Sequence, residues 1–193
     1  MKKNKGYTLI EMLIVIAIMA ILTGVAFVTL KVMHQAKYNS SISTFQTQLS
    51  NLWIQTKAIS QSKVQLNPTD ATDGAKYPLC MVVTLNEDSS DDIRDGSFEV
   101  KTAYNKDTDV TDKESHATLT HLVDIKYTPT NSKQVHSKTS IDGSGFITGD
   151  VIIQFNKADG SVKYGAGTYD FYYDNRVVGT VYLDSVTGNH YVK

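Results

Sequence analysis

From Met12 to Leu30 the chain runs 19 residues without a charged side chain, and Lys31 closes the run. As a helix rising about 1.5 Å per residue, this stretch spans roughly 28 Å, close to the hydrocarbon thickness of a bilayer. Few folds accommodate such a segment other than one that crosses a membrane. Lys2, Lys3 and Lys5 precede it. Clustered lysines keep their end of a span in the cytoplasm, so the bulk of the chain is expected on the outer side. An ordinary secretory signal has a short apolar core with its small-residue cleavage site after it. Here the run is too long, Thr23-Gly24 lies inside it, and the conspicuous small residue, Gly6, stands before it.

Glu11 is the anomaly. A carboxylate at the start of a membrane helix costs on the order of 2–3 kcal/mol unless something compensates it. Cutting the chain between Gly6 and Tyr7 would place a new α-amino group four residues before Glu11. That group supplies the compensating charge at the right depth, in the same chain or on a neighbour. A plain signal-anchor helix whose Glu11 faces headgroups leaves the position of Gly6 unexplained.

The stretch Lys5-Gly6-Tyr7-Thr8-Leu9-Ile10-Glu11-Met12-Leu13-Ile14-Val15-Ile16-Ala17-Ile18 resembles the prepilin signature of type IV pilins, type II secretion pseudopilins and competence pseudopilins. The resemblance covers about the first 30 residues. It implies cleavage after Gly6 by a dedicated prepilin peptidase, which also N-methylates Tyr7. It implies that Glu11 pairs with the terminal amine of an adjacent subunit during assembly. The implied partners are other copies or other pilin subunits, the peptidase/methyltransferase, a pilus assembly platform, and the membrane through the N-terminal helix. Two features depart from the usual pattern: Tyr7 replaces the commoner Phe, and the helix lacks a proline, leaving Gly24 as its strongest helix breaker.

Beyond Lys31 the helical period becomes amphipathic. Tyr38, Ile42, Phe45, Leu49, Leu52 and Ile59 draw one apolar stripe, widened by Trp53, with Ser, Thr, Gln and Asn elsewhere. The helix is expected from about Thr8 to about Ser60, ending near Asn67-Pro68. From Leu79 the signals change to strands: Leu79–Leu85, Ser97–Ala103, Leu119–Tyr127, Val151–Phe155, Thr168–Tyr173, Val177–Leu183 and His190–Val192. Turn formers separate them at Asp95-Gly96, Asp142-Gly143-Ser144-Gly145, Asp159-Gly160, Asp174-Asn175 and Thr187-Gly188. The fold class expected is α+β: a long N-terminal helix, half membrane and half amphipathic, packed on an antiparallel β-sheet head, the pilin lollipop. The divisions are a basic leader at 1–6, a transmembrane and assembly segment at 7–30, an amphipathic segment at 31–60 and a β-rich head at 61–193. The sequence from Val151-Ile152-Ile153-Gln154-Phe155 to Thr187-Gly188 loosely resembles the head of GspH/FimT-type minor pilins.

No pattern points to catalysis, and no cofactor is expected. Asp107, Asp109 and Asp112 invite a calcium reading, since hard cations want clustered carboxylates. Val110 stands where an EF-hand loop needs glycine and His116 where it needs the bidentate acid, so a solvated acidic loop is the better description. Glu87-Asp88-Ser89-Ser90-Asp91-Asp92 reads as a second such loop. The five histidines show no zinc spacing. Cys80, the one cysteine, lies in the apolar run Leu79–Val83 and reads as a small buried hydrophobe. A net charge of -1 gives no indication of nucleic-acid binding. The expected function is structural: a subunit of a type IV pilus-like filament serving adhesion, motility or DNA uptake. The alternative is a minor pilin or pseudopilin that primes or caps a type II secretion or competence machine. Either is a single-pass cytoplasmic-membrane protein, N-terminus inside, that moves to an extracellular pilus or periplasmic pseudopilus.

Overall fold

A computed structural model describes residues 7–58, 79–86, 97–105 and 110–193, with side chains at 104–105 and 110–116 excepted. The expected helix end at Ile59 to Pro68, the acidic run 87–92, the turn Asp95-Gly96, and Gly6, Asp107 and Asp109 all lie outside the described residues. The helix α1 runs from Leu9 to Ala58, 50 residues, without a break at Gly24. The chain divides into two compact units, Met1–Lys37 and Tyr38–Lys193.

Within the first unit, the large apolar side chains are not covered by the chain. Their exposure runs from 45% at Val15 to 85% at Tyr7. This is the one helix, among the described residues, long and apolar enough to cross a membrane. Thr23 and Thr29 donate their hydroxyls to the carbonyl oxygens of Met19 (2.7 Å) and Val25 (3.0 Å). Each polar hydroxyl is thereby satisfied inside the helix, where hydrocarbon offers it nothing.

Within the second unit, Tyr38–Ala58 presents the stripe read from its period. Ile42, Phe45, Leu49 and Leu52 are buried, together with Ser41 and Thr56, while Tyr38 and Trp53 pack at the margins. The stripe meets two antiparallel sheets. The strands are β1 (Leu79–Asn86), β2 (Ser97–Asn105), β3 (Val110–Thr118), β4 (Asp124–Pro129), β5 (Asp150–Phe155), β6 (Val162–Tyr164), β7 (Gly167–Tyr173), β8 (Arg176–Leu183) and β9 (His190–Val192). One sheet has the order β3-β2-β1-β5-β6 and the other β4-β7-β8-β9. Met81, Val83, Phe98, Val100, Val151 and Ile153 of the first share a core with Ile125, Tyr127, Tyr169, Phe171, Val181 and Leu183 of the second and with the α1 stripe. Phe45 is the hub, its ring 5.1 Å from Tyr169 and 5.5 Å from Phe171. The architecture is α+β, one long N-terminal apolar helix whose C-terminal half packs on antiparallel sheets.

Alternation fails in β1 because the strand is central and buried on both faces. Met81 and Val83 face the main core, whereas Cys80 and Val82 join Ala103 and Ile152 in a small cluster on the opposite face. The Cys80 thiol donates to the Ala103 carbonyl at 3.3 Å. The lone cysteine therefore sits where a small hydrophobe is needed, as its sequence context implied.

Two expectations need correction. The segment 110–118, grouped with an acidic loop, is the edge strand β3, paired with β2 through Val110↔Asn105, Glu114↔Thr102 and Thr118↔Glu99. Asp112 lies on this strand. Its polarity hid it from a search for β-branched alternation, yet charged residues suit an edge, where they discourage pairing with other chains. The expected strand Leu119–Tyr127 begins instead at Asp124, because Val123 N–H donates to the Thr120 carbonyl in a turn. Leu119 and Val123 are buried at that corner, which gave it the apolar look of a strand. The short strand β6 was not anticipated either; it pairs with β5 over Gln154↔Tyr164 and Phe155↔Val162.

The turns follow their residues. Asp174 (φ 51°) and Asn175 (φ 58°) both occupy the left-handed region, as a two-residue hairpin between β7 and β8 demands. At the distal end of α1, Gly188 (φ +69°) lies so close to the Gly160 carbonyl that a Cβ would stand 2.1 Å from it. Gly160 in turn abuts Lys57 and Trp53 of α1. The two glycine turns thus stack under the last turns of the helix.

Candidate processing and assembly site

The N-terminal residues of interest occupy the first turn of α1. Tyr7 precedes the helix and is 85% exposed. Thr8 is the cap residue, and its carbonyl accepts the first intrahelical bond from Met12 N–H (3.3 Å). The Thr8 N–H and hydroxyl both donate to Glu11 Oε2 at 2.8 Å, and Glu11 N–H donates to Thr8 Oγ1 at 3.3 Å. This is a reciprocal capping box, Thr-x-x-Glu, which satisfies donors that the start of a helix otherwise leaves without partners. The pattern was legible in the sequence as a Thr three residues before a Glu ahead of an apolar run. Attention to the charge of Glu11 alone missed it.

The box changes the physical account of Glu11. Within one chain its carboxylate is already solvated by two donors, so it does not wait unpaired in the apolar segment. Only Oε2 takes part, and an ionised carboxylate offers about four acceptor positions over two oxygens. Oε1 retains capacity for a further donor. Position 7 lies next to Thr8, so an amino group created there would arise beside the carboxylate already oriented by Thr8.

Among the described residues of the second unit, no constellation competes with this site. Among the described residues, no group of three or more His, Cys, Asp or Glu is arranged to hold a metal. One long-range Ser–His contact does occur: Ser50 Oγ lies 2.7 Å from His190 Nε2. Ser50 Oγ also lies 3.0 Å from the Gln46 carbonyl, and His190 Nδ1 lies 3.4 Å from the Gly188 carbonyl. The contact ties β9 to α1. Asp142, Asp159 and Asp184 each accept backbone N–H groups within their own turns. Hydrogen bonds from Ser161 hold the Asp159 carboxyl below its ordinary range, and those from Thr187 do the same for Asp184. These are turn-building groups.

The family model for the prokaryotic N-terminal methylation motif matches residues 1–27. This is the type IV prepilin motif. It holds Gly6, Tyr7, Thr8 and Glu11 together with most of the uncovered apolar segment. The prepilin motif supports a type IV pilin-like or pseudopilin precursor, processed by prepilin peptidase and anchored through its helix, and it marks a structural family. Pilin subunits and membrane assembly machinery are the class of partner it suggests. No curated protein and no solved structure matches the chain, so the likeness of the head to GspH/FimT-type pilins gains no support.

Proposed function

We propose that the protein is a structural subunit of a type IV pilus-like filament, cleaved after Gly6, N-methylated on Tyr7 and polymerised through α1. The observation that carries the proposal is the coincidence, in one register, of the prepilin motif with an apolar helix that its own chain leaves uncovered. In the membrane, lipid covers that surface; in a filament, neighbouring helices replace the lipid. A repeated contact between different faces of identical subunits does not close, and so generates a fibre. The lysine cluster favours an N-terminus inside and a head outside before assembly.

Glu11 has two tasks in this scheme. Through Oε2 and Thr8 it caps the helix; through Oε1 it receives the N-terminal amine of an adjacent subunit. Only one axial offset between neighbours satisfies the second contact, so the carboxylate sets register. The test is incorporation of Glu11→Leu into sheared surface filaments beside the parent. The variant should insert, be cleaved and keep its head, while its incorporation falls at least about tenfold, the effect of roughly 1.4 kcal/mol. Equal incorporation of Glu11→Leu would remove the register mechanism. A parent found only in trace amounts within filaments built of another subunit would favour the minor-pilin or pseudopilin role.

A further inference from the structure

Lys31, His34 and Lys37 follow the apolar run at steps of three along α1. Each step turns the helix by about 300°, so the three side chains share an arc of roughly 120° over about 9 Å of axis. Lys31 is exposed, and Lys37 is half-buried. Between Glu11 and Asp70 the sequence contains no Asp or Glu at all. Along α1 itself, the acid nearest these lysines is therefore Glu11, 20 residues from Lys31 and about 30 Å away along the axis. The two lysines therefore follow the uncharged run with no acid of their own helix near them.

The bilayer decides what lies opposite that face. The hydrocarbon layer is about 30 Å thick, and the headgroup zones bring the total to about 40–45 Å. With residues 12–30 in hydrocarbon, residues 31–34 fall in the outer headgroup zone, where phosphate oxygens are the available acceptors, and Lys37, about 10 Å past Leu30, reaches back toward it because helical side chains tilt toward the N-terminus. We infer that Lys31 and Lys37 form a docking face for anionic phospholipid headgroups, which holds the unassembled subunit at a fixed depth in the outer leaflet. The inference rests on the membrane-spanning reading above and adds the ligand of this segment. Lysine stems lie along apolar surface while their ammonium groups reach outward with three donors each. Each lysine near an anionic surface strengthens attachment about fivefold, and salt screens the effect. Entry into a filament gives these contacts up, so leaflet charge opposes extraction of the subunit.

The test uses the full chain with Lys2, Lys3 and Lys5 changed to Gln, so that the opposite leaflet contributes nothing. This chain and its Lys31→Gln/Lys37→Gln derivative are placed in nanodiscs of equal phosphatidylcholine and phosphatidylglycerol, and the lipids retained on the protein are counted by native mass spectrometry. Protease protection of the apolar segment is measured in parallel. The chain with both lysines should retain several-fold more phosphatidylglycerol than phosphatidylcholine at about 0.1 M salt and lose the preference near 1 M. The derivative should show no preference at either. A protected segment with equal lipid retention in both chains overturns the lipid inference and leaves the spanning helix intact. An unprotected segment overturns both. A derivative that keeps the lipid preference but fails to enter filaments shows instead that the lysines serve the surface of a second copy.

Discussion

Thr8 and Glu11 bond to each other in three places, and that mutual dependence predicts unequal effects of removing either one. Thr8→Ala takes away the cap oxygen but leaves the carboxylate, and caps of this kind are worth about 1 kcal/mol. Filament incorporation of Thr8→Ala should therefore fall less than that of Glu11→Leu, as read by subunit counts in sheared filaments. In the head, the Tyr127 and Tyr169 rings stack at 4.8 Å, and their hydroxyls donate to the carbonyls of Ala166 (3.0 Å) and Gly165 (2.7 Å). Burial pushes both phenols well above their ordinary range, with Tyr127 adding to the effect at Tyr169. The stability this protonated pair contributes is complete below the unfolded value of about 10 and is lost as pH rises beyond it. Absorbance at 295 nm should show these two of the 11 tyrosines ionising only as the head unfolds; smooth titration in a folded head would contradict their burial. Gly188→Ala forces a Cβ toward the Gly160 carbonyl from a left-handed backbone, and should cost roughly 1–3 kcal/mol in denaturant unfolding. The sequence marked Thr187-Gly188 as a turn, but the stacking of one glycine on another 28 residues away depends on tertiary approach and has no local signature.

Period and composition revealed most elements whose burial is one-sided. The α1 stripe is the clearest: Ile42, Phe45, Leu49 and Leu52 are buried where the helical period put them, and Ile54, off the stripe, is 56% exposed. Phe45→Asp should therefore lower head stability by several kcal/mol, an unpaired charge being set against Tyr169 and Phe171. Thermal melting identical to the parent would mean the stripe is not held in the core. β7 was legible for the same reason, with Tyr169 and Phe171 alternating inward, whereas β8 was legible as a strand but not in its inward face, which is Val181 and Leu183 rather than Val178, Thr180 and Tyr182. β3 escaped because an edge strand is held by backbone pairing and tolerates polar residues on both faces. Leu119–Val123 misled because burial at a turn and burial in a strand leave the same apolar residues. The Ser50–His190 contact, 140 residues apart, could not be read from spacing at all.

Across the molecule, the two units answer to different surroundings. Residues 38–193 bury their own core, so a chain beginning at Lys31 should be soluble, monomeric and mixed α/β by circular dichroism and sedimentation; aggregation would mean the core needs the first segment. The apolar segment before it is left exposed among the described residues, a surface suited to lipid or to other subunits. The sequence announced that segment through a compact motif because a peptidase and a membrane each read local residues. The head's packing residues leave no comparably compact signature, because burial is assembled from positions distant in the sequence. The most direct measurement is the intact mass and N-terminal sequence of the protein recovered from sheared cell-surface filaments. The account predicts a chain beginning at N-methyl-Tyr7 and retaining Glu11 and the entire apolar helix. A surface form that begins at Met1, or one cut after residue 24 with the apolar segment gone, would contradict it.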